Sequence, residues 1–235
     1  MFSASAELYD LIYMSLKDYP AEAAAIAALI RAHDPAARRI LDVAAGTGEH
    51  ARLLVQQHGF EVDALDLDPA FVAIARRKLP TSQVFEGDMI SFELGKRYDV
   101  ILCLFSAIGY VRTLANVVRT LRCFRDHLVP GGMALVEPWF EPEALEAGRV
   151  VAVTAEAAGV TVCRMSHLEI DGDVSRLRFE YLIGRPEGIE RAAEVHELGM
   201  FTAGQLSACF REAGLVPGFQ SPGLSGRGLH IGRAE

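Results

Sequence analysis

The sequence is poor in features that mark several protein classes. Lys and Arg never cluster into a run long enough to form a binding stripe, and the net charge is −8. Nucleic acid and anionic membrane surfaces are therefore not expected partners. The four cysteines, Cys103, Cys123, Cys163 and Cys209, form no C-x-x-C pair, and each sits in an apolar segment. Packing in the core as reduced thiols is expected of all four. No spacing of His, Cys and carboxylates suits a metal ion. No apolar stretch is long and clean enough to span a bilayer. The opening residues carry neither a basic nor an apolar segment of the secretory kind, so a soluble cytoplasmic protein is expected. Aromatic residues make up only 8%, with Trp139 the single tryptophan. What is abundant is small and aliphatic: 51% apolar residues in a chain of 235 suit one large α/β domain, or a domain with an insertion.

The most informative stretch is Ile40-Leu41-Asp42-Val43-Ala44-Ala45-Gly46-Thr47-Gly48, an apolar strand that runs into a Gly-x-Gly turn. Helix-compatible residues follow from Glu49 to Gln57. A second apolar run, Val62 to Leu67, carries Asp66. This is the pattern of a doubly wound α/β domain that holds an adenosine-containing cofactor. The glycines let backbone approach the ligand, and the acid can accept hydrogen bonds from both ribose hydroxyls. Gly46-Thr47-Gly48-Glu49-His50-Ala51 also satisfies the G-x-G-x-x-G/A pattern of nicotinamide cofactors. Asp42 inside the first strand argues the other way, because a cationic methyl donor gains from nearby acids and a pyrophosphate does not. Val84-Phe85-Glu86-Gly87-Asp88-Met89 adds an acid and an apolar residue that suit an adenine.

Along the chain, residues 4–16 and 21–33 read as helices that form a cap over residues 1–37. Strands are expected at 39–43, 83–86, 98–104 and 133–137, with helices from Asp68-Pro69 to about Leu79 and at 115–127. The basic residues Arg76, Arg77 and Lys78 are expected on the solvent face and last turn of their helix. Residues 160–170 and 174–183 read as a hairpin turning at Asp171-Gly172-Asp173, with 189–200 as a candidate third strand. Thr202 is placed to cap a helix at 203–213. The expected architecture is a Rossmann-like doubly wound sheet over 38–150 and 201–235. The β insertion at 151–200 either roofs the acceptor site or supplies a homodimer edge.

These motifs, with the turn Leu128-Val129-Pro130-Gly131-Gly132-Met133, resemble the class I S-adenosylmethionine-dependent methyltransferases over residues 38–137. A narrower resemblance spans the chain. It is carried by Tyr9-Asp10-Leu11-Ile12-Tyr13, Lys17-Asp18-Tyr19, Val136-Glu137-Pro138-Trp139-Phe140, Arg164-Met165-Ser166-His167 and Ser225-Gly226-Arg227-Gly228-Leu229. These look like the N,N-dimethyltransferases of TDP-linked amino sugars, the desosamine and mycaminose type. Ala45 stands where that family commonly has Cys, and Asp66 where relatives often have Glu.

The resemblance implies S-adenosyl-L-methionine as donor and a TDP-amino sugar as acceptor. Ala44, Gly46, Gly48, Asp66, Asp88, Met89, Phe105 and Tyr19 would hold the donor, with Lys17 either beside its carboxylate or merely exposed. Tyr13 and His127 are the candidates beside the acceptor amine, acting as bases or only orienting it. His127 has a structural reading too, as a residue complementing a helix dipole. Arg227, in a Gly-rich loop, suits phosphate oxygens. Trp139, Glu137, Ser166 and His167 complete the substrate set. The motifs leave open the sugar, the amine position and the number of methyls. Methylation of another small metabolite, or donor binding without turnover, are the alternative functions.

Overall fold

The structure, a computed structural model, describes residues 6–235. The first two residues of the expected helix at 4–16 lie outside the described part. What is described is α1 (Ala6–Tyr13), followed by α2 (Tyr19–His33). Asp18 caps α2 by accepting the Ala21 N–H at 3.0 Å, and Pro20 occupies the first turn, where a missing N–H costs nothing.

The main sheet is assembled from β1 (Arg39–Val43), β2 (Glu61–Asp66), β3 (Val84–Glu86), β4 (Tyr98–Cys103), β5 (Leu128–Val136), β10 (Leu215–Gln220) and β11 (Leu229–Ala234). Its strand order is β10-β11-β5-β4-β1-β2-β3. The pairings from β5 to β3 are parallel, whereas β11 runs antiparallel to both β5 and β10. Helices α3 (Glu49–His58), α4 (Pro69–Lys78), α5 (Leu114–His127) and α6 (Ala203–Glu212) join and flank these strands. Two buried faces explain the apolar runs of β1 and β4: Ile40, Leu41, Val43, Ile101, Leu102 and Cys103 are all inaccessible to solvent. From β1 the chain builds outward to β2 and β3, then returns to β4 and β5 on the other side. The carboxyl ends of β1 and β4 are thus the switch point, where such sheets open a crevice. Thr202 caps α6 in a reciprocal box, each of Thr202 and Gln205 accepting the other's backbone N–H.

A second, antiparallel sheet follows: β6 (Val150–Ala157), β7 (Val160–Asp171), β8 (Val174–Arg185) and β9 (Gly188–Gly199), paired in that order. The Asp171-Gly172 turn falls where expected, with Gly172 at φ 56°. The sheet has one strand more than the sequence suggested. β6 is an edge strand exposed along most of its length, so its residues show no alternation to read. On the other strands alternate residues face inward, Val162, Arg164, Ser166 and Leu168 on β7 among them. Cys163 falls between two of these and is exposed, which corrects its expected place in the core; Cys103 and Cys209 are buried and Cys123 is half-buried. The inner face packs on α1, with Leu8, Ile12 and Tyr13 against Val162, Phe179 and Tyr181 in one apolar cluster. No helix among the described residues is long and apolar enough to cross a membrane. Among them no group of His, Cys, Asp and Glu is placed to hold a metal ion.

Candidate active site

The carboxyl ends of β1 to β4 open, beneath the second sheet, into one cavity of about 870 Å³. Its lower half is built on the turn after β1. Ala44 and Gly46 both take left-handed backbone, at φ 56° and 58°, and a Cβ on Gly46 would meet nothing within 4 Å. Conformation rather than space favours glycine there. Gly48 differs. Its Cβ would lie 3.0 Å from Leu79 Cδ1 and 3.3 Å from Ala75 Cβ, so this glycine lets α3 close on α4. It does not line the cavity.

Asp66, the last residue of β2, holds the turn in place. One carboxylate oxygen accepts the Gly46 N–H at 2.7 Å and the other the Asp68 N–H at 2.9 Å. Burial raises its pKa. Asp42 sits deeper in the same wall; burial, and then the charge of Asp66, push it up to about 7. Asp88 and Met89 line the wall beyond β3, and Tyr19 lines it from the start of α2. The turn is also tied to the cap. Asp10 of α1 accepts the Thr47 hydroxyl at 2.6 Å and pairs with Lys78 at 2.6 Å. Lys78 therefore turns inward, unlike the solvent-facing lysine expected from its place in the helix.

After β4 the chain makes a turn of unusual geometry. Phe105 and Ser106 both have positive φ, 50° and 67°, a conformation costly for non-glycine residues. Glu137 over-determines it by accepting the Phe105 N–H at 2.7 Å, and the Ser106 hydroxyl donates to the Pro138 carbonyl at 3.2 Å. The upper half of the cavity rises from here. Tyr13 lies 5.1 Å from the Phe105 ring and accepts a hydrogen bond from Arg164 Nη1 at 3.0 Å. Burial raises the Tyr13 pKa, with Arg164 acting against it. Trp139, Phe140, Phe179 and Ser166 complete the walls. Trp139 is fixed by its indole N–H, which donates to the Ser175 hydroxyl at 2.8 Å. An acid-rimmed backbone cradle thus opens directly into an aromatic chamber.

The methyltransferase domain family matches residues 40–132, the strands and turns that build the cradle. Relatives extend the match over the chamber. The dTDP-3-amino-3,6-dideoxy-alpha-D-glucopyranose N,N-dimethyltransferase of Streptomyces fradiae is 43% identical over 229 residues, 97% of this chain and 89% of its own. The dTDP-3-amino-3,4,6-trideoxy-alpha-D-glucopyranose N,N-dimethyltransferase of Streptomyces venezuelae is 36% identical, covering 97% and 96%. The chain belongs to the dTDP-amino-sugar N,N-dimethyltransferase family. Solved structures agree. The crystal structure of Streptomyces venezuelae DesVI superposes with a TM-score of 0.92 at 36% identity, covering 98% of both chains. CalS10, an amino pentose methyltransferase from Micromonospora echinaspora solved with bound SAM, gives 0.84 at 36%, covering 93% and 92%.

Of the residues singled out in the sequence, the cavity brings together Tyr13, Tyr19, Ala44, Gly46, Asp66, Asp88, Met89, Phe105, Trp139, Ser166 and Arg227. Three others do not line it. His127 ends α5, and α5 runs antiparallel to the strands, so this histidine lies at the opposite end of the sheet. It is buried against Phe92, with Nε2 accepting the Leu94 N–H at 3.0 Å and Nδ1 lying 2.8 Å from the Cys123 carbonyl. His167 is the outward neighbour of Ser166 on β7, exposed and 3.9 Å from Glu169. Glu137 is 1% exposed and already bonded to Phe105 N–H, the Ser225 hydroxyl and Arg227, leaving it to organise the site rather than to meet a sugar. Lys17, half-buried, pairs with Glu22 at 2.9 Å and lies over the Phe105 ring at 3.7 Å. The sequence reading missed Tyr110, Arg164 and His196, which all line the cavity.

The placement of His127 makes a prediction. His127→Ala should leave the methyl-transfer rate within about twofold while lowering stability by about 1–3 kcal/mol, the cost of stranding the Leu94 N–H. Denaturant unfolding beside a turnover assay checks it, and a large loss of turnover in a fully folded variant would restore a catalytic role.

Proposed function

We propose that this protein transfers methyl groups from S-adenosyl-L-methionine to the amine of a dTDP-linked amino-deoxy sugar, N,N-dimethylating it. The observation that carries the reading is the continuity of the cavity from the Asp66 cradle into the Tyr13 and Trp139 chamber. A donor and an acceptor bound in its two halves meet near Phe105. When bound, the donor supplies a methyl already activated on sulfonium. The residues of the chain have to align the nucleophile and exclude water.

In this reading Asp66 receives the ribose hydroxyls, Asp88 and Met89 bind and cover the adenine, and Ala44 and Gly46 present backbone. Tyr19 closes the methionine end. Tyr13 orients the sugar amine, and Trp139 and Ser166 wall the sugar. Arg227 is the phosphate ligand. It lines the cavity, with Nε and Nη2 buried and lacking hydrogen-bond acceptors and only the Glu137 ion pair at 3.3 Å for charge.

The test is direct. Incubation with S-adenosylmethionine and dTDP-3-amino-3,6-dideoxy-α-D-glucose should give the monomethylated and then the dimethylated sugar by mass spectrometry. Binding of S-adenosylhomocysteine with no methylation of this sugar or its 4-amino counterpart would sink the sugar assignment and point to another small amine or alcohol.

A further inference from the structure

One group of buried polar side chains lies in the acceptor half of the cavity and has no part in the account above. Tyr110 belongs to the short helical turn Ala107–Val111 that follows Phe105-Ser106. Its hydroxyl is 3.0 Å from Nδ1 of His196 on β9. Nε2 of the same ring is 3.2 Å from Oε2 of Glu194, which also accepts the Tyr181 hydroxyl at 3.3 Å. His196 and Glu194 are i and i−2 on one strand, so both point to the inner face of the second sheet. Tyr110 and His196 line the cavity, and Glu194 stands behind them.

The chemistry of the donors fixes the direction of this chain. A carboxylate only accepts, so Nε2 of His196 carries the proton and donates to Glu194. Nδ1 of the neutral ring is then an acceptor, and the Tyr110 hydroxyl must donate to it. The Tyr110 oxygen can then accept a hydrogen bond from a donor on the substrate. Burial lowers the pKa of His196, with the Glu194 carboxylate acting against it, which keeps the resting ring neutral. Facing the ring are Tyr110 from the helical turn, Phe179 from β8, Glu194 from β9 and Arg164 from β7, with Tyr181 of β8 on Glu194 behind it. Arg164 is itself buried, donates to Tyr13, and lies 4.6 Å over the Phe179 ring. Its fixed positive charge disfavours an uncompensated cation in the chamber; an amino sugar arrives from neutral solution largely as an ammonium, whereas His196 has the Glu194 carboxylate beside it to offset a charge.

We propose that Tyr110, His196 and Glu194 form the proton path of the acceptor amine, an inference that rests on the amino-sugar reading above. The ammonium gives its proton to the Tyr110 oxygen while Tyr110 passes its own to Nδ1 of His196. Glu194 holds the ring and stabilises the resulting imidazolium. The freed nitrogen lone pair forms the new N–C bond, the carbon–sulfur bond breaks, and its electron pair stays on sulfur. Each methylation so releases one proton, which leaves His196 for solvent before the next round. Tyr110 and His196 are the catalytic residues of this path; Glu194 is a positioning residue.

The experiment compares the full chain with Tyr110→Phe, His196→Gln and Glu194→Gln, using dTDP-3-amino-3,6-dideoxy-α-D-glucose. It measures kcat, KM, the pH profile of kcat, and S-adenosylhomocysteine affinity by calorimetry. Tyr110→Phe and His196→Gln should lower kcat near pH 7 by roughly tenfold or more, with the S-adenosylhomocysteine affinity unchanged. The deficit should shrink as pH approaches the pKa of the amine, because solvent then removes the proton. Glu194→Gln should shift the profile in the same direction by less. A merely structural role would lower activity equally at every pH. Turnover by the unaltered protein together with undiminished rates and an unshifted profile in Tyr110→Phe and His196→Gln overturns the path alone. No turnover by the unaltered protein overturns the amino-sugar reading and the path with it.

Discussion

Replacing Asp66 with alanine is expected to lower the affinity for S-adenosylhomocysteine by roughly 10- to 100-fold, as the loss of hydrogen bonds to a charged acceptor requires. The carboxylate has two tasks at once. It faces the cavity, where we propose that it accepts from the ribose diol, and it holds the Gly46 N–H at 2.7 Å and the Asp68 N–H at 2.9 Å. Alanine removes the acceptor and also releases the turn that presents backbone to the donor. Asp66→Asn keeps one acceptor oxygen and should lose less. Stability adds a pH dependence. Burial raises the pKa of Asp66, so the folded protein disfavours its charge, and the asparagine variant, which strands one of the two N–H groups, should lose less stability relative to the native chain above neutral pH than in acid. The same sign applies to Asp42, whose pKa is pushed up to about 7. Its contribution to stability is present in acid and is lost as pH rises from its unfolded value through neutrality. Calorimetric titration and thermal melts at two pH values test both halves. Unchanged affinity in a folded Asp66→Ala variant would mean that the nucleoside does not rest on this acid.

How far the sequence shows this arrangement depends on the range of the contacts. The cradle is legible because it is local: an apolar strand, a glycine turn and the next strand put Asp42, Gly46 and Asp66 together within some two dozen residues. The Asp171-Gly172 turn and the Thr202 cap are legible for the same reason. The chamber is not local. Tyr13, Trp139, Ser166 and His196 meet only after the second sheet folds back over α1 and the Phe105 turn. Even so, period-two spacing held information. Arg164 with Ser166, and Glu194 with His196, share a face, whereas Ser166 and His167 cannot, and that alternation is what expels His167 from the site. The resemblance sets His127 beside the acceptor, while its place at the end of a helix supports the structural reading. In a doubly wound sheet, a turn from helix to strand lies at the end opposite the ligand crevice. The direction of α5 puts this residue at the end opposite the cavity.

Glu137→Ala should be the most damaging single change in the site for the fold itself, lowering the melting temperature by roughly 6–20 °C. The figure follows from about 3–5 kcal/mol for stripping a buried ion of its partner and about 2–4 °C per kcal/mol in a protein of this size. Glu137 is 1% exposed and stands at the junction of three segments. It accepts the Phe105 N–H at 2.7 Å and the Ser225 hydroxyl, and pairs with Arg227 at 3.3 Å. Arg227 lies over the rings of Phe105, Phe140 and Trp139, at 5.5, 5.4 and 6.0 Å from their centroids. The Phe105 backbone at positive φ loses its restraint in the same step. A double-mutant cycle separates the two causes. If the stranded guanidinium dominates, Glu137→Ala with Arg227→Ala will be more stable than Glu137→Ala alone. If the backbone restraint dominates, the double variant will be no better, and Glu137→Gln, which still offers Phe105 an acceptor, will recover most of the loss. A melting temperature unchanged in all three variants would mean that the strap from Ser225 to Arg227 does not hold the Phe105 turn. The position of the turn would then have to come from β4 and the Ser106 bond alone.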